Sequence, residues 1–93
     1  MTVDDTLDEL AAELTATDSY PVDRTANRWL GEAEAVAGDL AASDLPDEVV
    51  VERLGHVESL LSNVDETGSP EADEHVARAK SLTDDALAAL DAA

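Results

Sequence analysis

Apolar residues recur along this chain at alternating steps of three and four. The longest such run lies between Asp47 and Val64, DEVVVERLGHVESLLSNV. There Val50, Leu54, Val57, Leu61 and Val64 fall on one stripe of an α-helix. Val49, Val51 and Leu60 widen the stripe into a face suited to more than one neighbour, and Asp47, Glu48, Glu52, Arg53 and Glu58 occupy the remaining surface. The spacing predicts a helix over 47–64. Val3, Leu7, Leu10 and Leu14, with Ala11 beside them, predict a first helix over 3–17. Thr2 is its N-cap, and Asp4 and Asp5 lie where the helix dipole favours negative charge.

A second helix is predicted over 22–42. Its apolar face is Ala26, Trp29 or Leu30, Ala33, Val36 or Ala37, and Leu40, an alanine-rich face that permits close approach of a neighbour. Gly31 and Gly38 sit within it, and each weakens a helix by up to about 1 kcal/mol relative to Ala. Close packing against another backbone, or a bend, would account for both. A fourth helix is predicted over 70–91, with Val76, Ala79, Leu82, Thr83, Ala86, Leu87 and Leu90 on one face. Arg78 and Lys80 are its bases, with Asp84 and Asp85 close by for contacts one turn along.

The breaks between these segments have chemical causes. Pro21 disfavours helix at Tyr20 and is suited to the first turn of the second helix. In Ala42-Ser43-Asp44-Leu45-Pro46, Asp44 or Leu45 is expected to cap and Pro46 to enter the first turn. Asp65-Glu66-Thr67-Gly68 reads as a tight turn, and Ser69-Pro70-Glu71 as a helix start with an N-cap serine followed by proline. Four helices joined by short connections should run antiparallel in sequence order. The expected fold is therefore all-α, an up-and-down antiparallel bundle of four helices, with residues 1–93 as a single domain. A chain this size buries enough surface for one core without staples.

Charge changes the picture most. Asp and Glu number 23 against 5 Lys and Arg, a formal net charge of −18. Lys80 is the one lysine, and Arg24, Arg28, Arg53 and Arg78 are the other bases. No basic patch is available for phosphates, which argues against direct nucleic-acid binding, and anionic membranes would repel such a surface. No apolar run reaches the length that spans a bilayer. MTVDDTLDEL has neither the basic nor the apolar region of a secretory signal, and there are no cysteines for disulfides or thiolate sites. The expectation is a cytoplasmic protein.

Three explanations of the acidity compete. Disorder is disfavoured because the apolar residues are periodic. Mimicry of nucleic acid, an acidic decoy for a basic protein partner, is the second. The third is adaptation to a salt-saturated cytoplasm. At about 1 M salt the Debye length is roughly 3 Å, so carboxylates hardly repel one another. The near absence of lysine and a core without Phe or Ile fit this third explanation best.

Candidate chemistry is sparse. His56 and His75 each follow a glutamate by four residues, Glu52 and Glu71 respectively, and a carboxylate–imidazole set on adjacent helices is one way to hold a divalent metal. Di-iron bundles use Glu-x-x-His instead, and the residues three before these histidines are Arg53 and Ala72. Both histidines also lie off the apolar stripes, which places them on the solvated surface. The acid pairs Asp4-Asp5 and Asp84-Asp85 read as surface in so acidic a chain. There is no glycine-rich phosphate loop, metalloprotease motif or nucleophile elbow. The sequence thus assigns no catalytic, cofactor or metal residue and does not point to an enzyme.

In the stretches VERLGHVESLL and SPEADEHVARAKSL the chain resembles the small, acidic, uncharacterised all-helical proteins of haloarchaea. The resemblance covers about the last half of the chain, implies a cytoplasmic helical protein and transfers no site residue. The functional expectation is a non-enzymatic protein-interaction or structural module of a halophilic cytoplasm, its protein partner unknown. A homodimer is one form of it: Trp29 and Leu30 compete for one position on a narrow stripe, and one of them could then face a second copy, while a wide stripe would bury both within one chain. The rival from another class is a small metal- or ligand-binding bundle using His56 and His75 with Glu52 and Glu71.

Overall fold

A computed structural model describes residues 2–92 of the chain. Four helices form: α1 (Val3–Ala16), α2 (Arg24–Ala42), α3 (Asp47–Leu61) and α4 (Pro70–Ala92), with a short 3-10 turn over Thr17–Ser19. Each is adjacent to the next and α4 returns to α1, so the four close a ring. Val3 at the start of α1, Leu40 near the end of α2, Val50 at the start of α3 and Leu90 near the end of α4 all line one hollow. Neighbours around the ring are therefore antiparallel, and the chain is an all-α up-and-down four-helix bundle with extents of 37 × 20 × 20 Å.

The helix starts reflect local chemistry. Thr2 caps α1 as expected: its hydroxyl accepts from the Asp5 N–H at 3.1 Å, and its own N–H donates to Asp5 Oδ2 at 3.3 Å. The Ser69 hydroxyl accepts from the Ala72 N–H at 3.3 Å, with Pro70 as the first residue of α4. The other two prolines sit outside their predicted places. Helix α2 begins at Arg24, three residues after Pro21, and Pro46 is itself the extended N-cap residue of α3, with φ −58° and ψ 148°. A proline ring suits an extended residue as well as a first turn, so the sequence alone does not separate the two. Helix α3 ends at Leu61, and Val64 completes the apolar stripe from the turn beyond it, still buried.

The core combines two kinds of stripe. On α1 and α3 the buried positions are large: Leu7, Leu10 and Leu14, then Val50, Leu54, Val57 and Leu61. On α2 and α4 alanines alternate with larger residues: Ala26, Leu30, Ala33, Ala37 and Leu40, then Ala72, Val76, Ala79, Thr83 and Ala86. The large-residue helices lie diagonally across the ring, and the alanine-rich helices between them leave room for them, so volume is filled without any phenylalanine or isoleucine. Leu54, Val57 and Leu61 are 0%, 0% and 1% exposed. Thr17 and Thr83, both buried, donate their hydroxyls to the carbonyls of Leu14 and Ala79 at 2.6 and 2.8 Å.

The doubled positions on α2 resolve by register. Leu30 and Ala37 enter the core, while Trp29 and Val36 are half-buried against its edge. The Arg28 guanidinium lies 5.5 Å from the Trp29 ring centroid. A wide stripe thus accommodates both Trp29 and Leu30 within one chain. Gly31 and Gly38 are exposed, and a Cβ at either would meet nothing within 4 Å. Neither serves a close approach.

The burial pattern sets two expectations for stability. Leu61→Ala should cost about 2–5 kcal/mol in thermal melts at fixed salt, because the side chain is fully enclosed; a loss below about 0.5 kcal/mol would place it at a surface. Gly31→Ala and Gly38→Ala should each stabilise the fold by about 0.4–1 kcal/mol, since both glycines are helical with open space beside them.

Candidate functional site

Polar contacts between elements concentrate at the end of the bundle where α1 and α3 finish and α2 and α4 begin. The most structured cluster joins α1 to α4. His75 Nδ1 lies 2.6 Å from Glu13 Oε2, and the two side chains are 20% and 22% exposed. Arg78 Nε lies 3.3 Å from the same oxygen. The Tyr20 ring stacks on His75, with centroids 5.7 Å apart and an angle of 28°. At 2.6 Å from a carboxylate, Nδ1 is the protonated nitrogen and donates to Glu13. Arg78 Nη2, 3.4 Å from Nδ1, is then a second donor nearby, and the guanidinium acts on Glu13 instead. The cluster fixes the ring of His75 and satisfies one carboxylate twice. It ties α1, the turn after it and α4 together.

His75 is therefore not the solvated surface histidine expected from its place off the apolar stripe. Glu13, 62 residues earlier, is its partner, and Tyr20 covers one ring face. Glu71 faces elsewhere and accepts from the Ser69 hydroxyl at 3.1 Å. His56 is exposed, in a shallow hollow with Glu52, Arg53 and Val36. The structure thus keeps Glu52 beside His56 but joins His75 to Glu13 rather than to Glu71. Among the described residues no three His, Asp or Glu side chains converge as a metal ion requires. Nothing local in the sequence marks Glu13 or Tyr20, because the contact exists only once α1 and α4 are packed.

The α3–α4 connection is the second polar assembly. The Thr67 N–H and hydroxyl reach Asp73 Oδ1 at 2.8 and 2.7 Å, and the Thr67 hydroxyl accepts from the Ser69 N–H at 3.1 Å. The Thr67 carbonyl in turn accepts from the Asp23 N–H at 2.6 Å, fastening this turn to the start of α2. Gly68 has φ +89°, which an L side chain rarely adopts, and a Cβ there would lie 2.8 Å from Asp23 Oδ1. Lys80 donates to the Val64 carbonyl at 2.8 Å, capping the backbone just beyond α3 rather than pairing with Asp84 one turn along. Of the two bases on α4, one is thereby committed to Glu13 and the other to this turn.

Two carboxyls are shifted. The side-chain and backbone hydrogen bonds from Thr67 hold Asp73 below its ordinary value of 3.8. Glu34, on α2, is pushed above 4.5, chiefly by desolvation and then by a hydrogen bond and the negative charge of Asp18, against the pull of the Thr15 hydroxyl. Their signs oppose. Asp73 stabilises the fold above pH 3.8 and loses that contribution as pH falls through its depressed value. Glu34 favours the fold at low pH, a contribution lost as pH rises past 4.5.

A sequence model for a domain of unknown function (DUF8152) matches residues 6–93, and the chain belongs to that family. No curated protein and no solved structure matches the chain.

The Asp73 clamp has a measurable signature. Asp73→Asn keeps an acceptor for Thr67 but removes the charge, so it should melt below the wild type at neutral pH. The gap should close as pH falls below 3.8 and the wild-type carboxyl is protonated. Melts across acid pH in about 1 M salt, where the remaining carboxylates are screened, measure it. A gap constant with pH would remove Asp73 from the clamp.

Proposed function

We propose that this member of the DUF8152 family is a non-enzymatic protein-interaction or structural module of a halophilic, haloarchaeal-type cytoplasm. The observation that carries the environment is the distribution of acid over the molecule. Of the 23 Asp and Glu residues, 20 are exposed and only Glu13, Glu34 and Asp73 are half-buried. All four helices and all three connections bear acids. A decoy for a nucleic-acid-binding protein would place its carboxylates in a dense row at phosphate-like spacing. An even shell instead suits a solvent in which like charges are screened.

The module reading is supported by what the polar residues do. The assembled clusters fasten elements to one another: Glu13 with His75 and Arg78, Thr67 with Asp73, Lys80 with the Val64 carbonyl. Of these groups Lys80 lines a hollow, and there it is already bonded to the Val64 carbonyl. Among the described residues no helix is long and apolar enough to cross a membrane.

Circular dichroism across a potassium chloride series tests the environment. At about 0.01 M salt the Debye length is roughly 30 Å, comparable to the whole bundle, and self-repulsion opposes the compact state. Helicity and melting temperature should both climb steeply towards molar salt. Flat curves would replace salt adaptation with the acidic decoy. Cross-linking and affinity capture from the host at molar salt test the module; recovery of no partner and no oligomer would remove it.

A further inference from the structure

The sequence pattern sets Val51 beside the core stripe of α3, yet it is 41% exposed, the one large hydrophobic side chain left open among the described residues. It heads a second line of positions, Val51, Gly55 and Glu58 on α3 and Ser62 at its C-cap, at steps of four, three and four, of which Val51, Glu58 and Ser62 border hollows shared with α4. Alongside it run two hollows. One of about 500 Å³ lies between Val51 on α3 and Leu87, Leu90 and Asp91 on α4. The other, of about 310 Å³, lies between Glu58 and Leu61 on α3, with Ser62 just beyond it, and Lys80, Thr83 and Asp84 on α4. Gly55 sits between them along α3, where a Cβ would meet nothing within 4 Å. The α3–α4 seam thus carries two hollows, apolar at the Val51 end through Leu87, Ala88 and Leu90 and floored by Leu61 at the other, with open space beside Gly55 between them. From Val51 to Ser62 it runs about 16 Å, three turns of helix.

The charge around the groove selects the occupant. Glu58, Asp84 and Asp91 stand on its walls. Lys80, the one base that lines it, is already bonded to the Val64 carbonyl. A neutral or acidic segment laid in the seam would desolvate these carboxylates without partners. A second copy would desolvate two acidic rims at once with no free base on either wall to pair them. A helix with an apolar stripe and basic flanks fills the floor and pairs the walls. We propose that the α3–α4 seam is a docking groove for a basic amphipathic helix of a partner protein, with the Gly55 gap receiving one of its apolar side chains. This rests on the module reading and gives it a surface.

The test uses the whole chain and a synthetic peptide of about 15 residues, leucines at helical spacing on one face and lysines elsewhere, beside an isomer of the same composition with the leucines dispersed. Binding is measured by calorimetry and by amide chemical shifts in about 0.15 M and about 1 M potassium chloride. The periodic peptide should bind at both salts, with shifts confined to the groove-facing residues of α3 and α4. The isomer should bind at least about tenfold more weakly, as expected when a few buried apolar anchors dominate. Gly55→Leu fills the gap and favours helix, and Val51→Asp removes the open apolar side chain at an exposed site. Each should weaken the peptide about tenfold while melting as a folded bundle. Val51→Asp adds a negative charge, so attraction by charge alone would become tighter, and that result overturns the groove. So do equal binding of both peptides, shifts spread over all four helices, or a dimer of the free chain that Val51→Asp dissolves, which would make a second copy the occupant. Because the peptide is not the native partner, its failure removes the groove alone. The module reading stands or falls on the capture experiment.

Discussion

The arrangement depends on filling the apolar core of a four-helix bundle with leucine, valine and alanine. Without phenylalanine or isoleucine, volume must come from bringing backbones close, and that needs small residues on some helices and large ones on the others. Ala33, Ala37, Ala72, Ala79 and Ala86 occupy fully buried positions on α2 and α4, and Leu10, Leu14, Leu54, Val57 and Leu61 on α1 and α3. Up-and-down order puts the two large-residue helices on opposite corners of the ring, so each lies between alanine-rich neighbours. The same economy leaves α3 with more apolar surface than its neighbours cover, and Val51 is the remainder.

The two ends of the bundle are held differently. At one end α1, α2, α3 and α4 are joined by polar contacts whose donors and acceptors come from distant parts of the chain: Tyr20 and Glu13 on His75, Asp23 on Thr67, Lys80 on Val64. At the other end Val3, Leu7, Leu40, Leu45, Val50 and Leu90 line a hollow of about 320 Å³ together with Ser43 and the aspartates Asp4, Asp44 and Asp47. The polar end sets how the helices stand relative to one another, because its hydrogen bonds are directional. The packed core between the ends contributes burial, which is not.

Charge gives the few bases a particular weight. Five cations among 23 acids would be lost as scattered surface pairs worth little each. Arg78, itself exposed, instead reaches the half-buried Glu13, and the half-buried Lys80 reaches a backbone carbonyl, where the surrounding dielectric is lower. Arg28 lies over Trp29. The exposed remainder is nearly all carboxylate, and for such a surface screening by salt and contact with basic partners obey the same electrostatics.

The sequence by itself determined whatever depends on neighbours within a turn or two of helix. The four apolar stripes, the Thr2 cap, the Ser69-Pro70 start and the enclosure of Leu54, Val57 and Leu61 all come from period, capping chemistry and composition. It also set where each side chain stands around its own helix axis, which is why Trp29 and Leu30 compete for one place. It did not decide which of them entered the core, whether Pro21 and Pro46 lay inside a helix or just before one, or whether Val51 was covered. Those outcomes depend on where the neighbouring helices come to rest, and a helix with apolar residues on both flanks of its stripe is equally content with either flank inward. The contact of Glu13 with His75 lay further out of reach, since residues 62 apart carry no local signal of each other and meet only when α4 closes the ring against α1. Local period set the faces; packing decided which faces met, because burial is non-directional and is settled by the whole bundle at once.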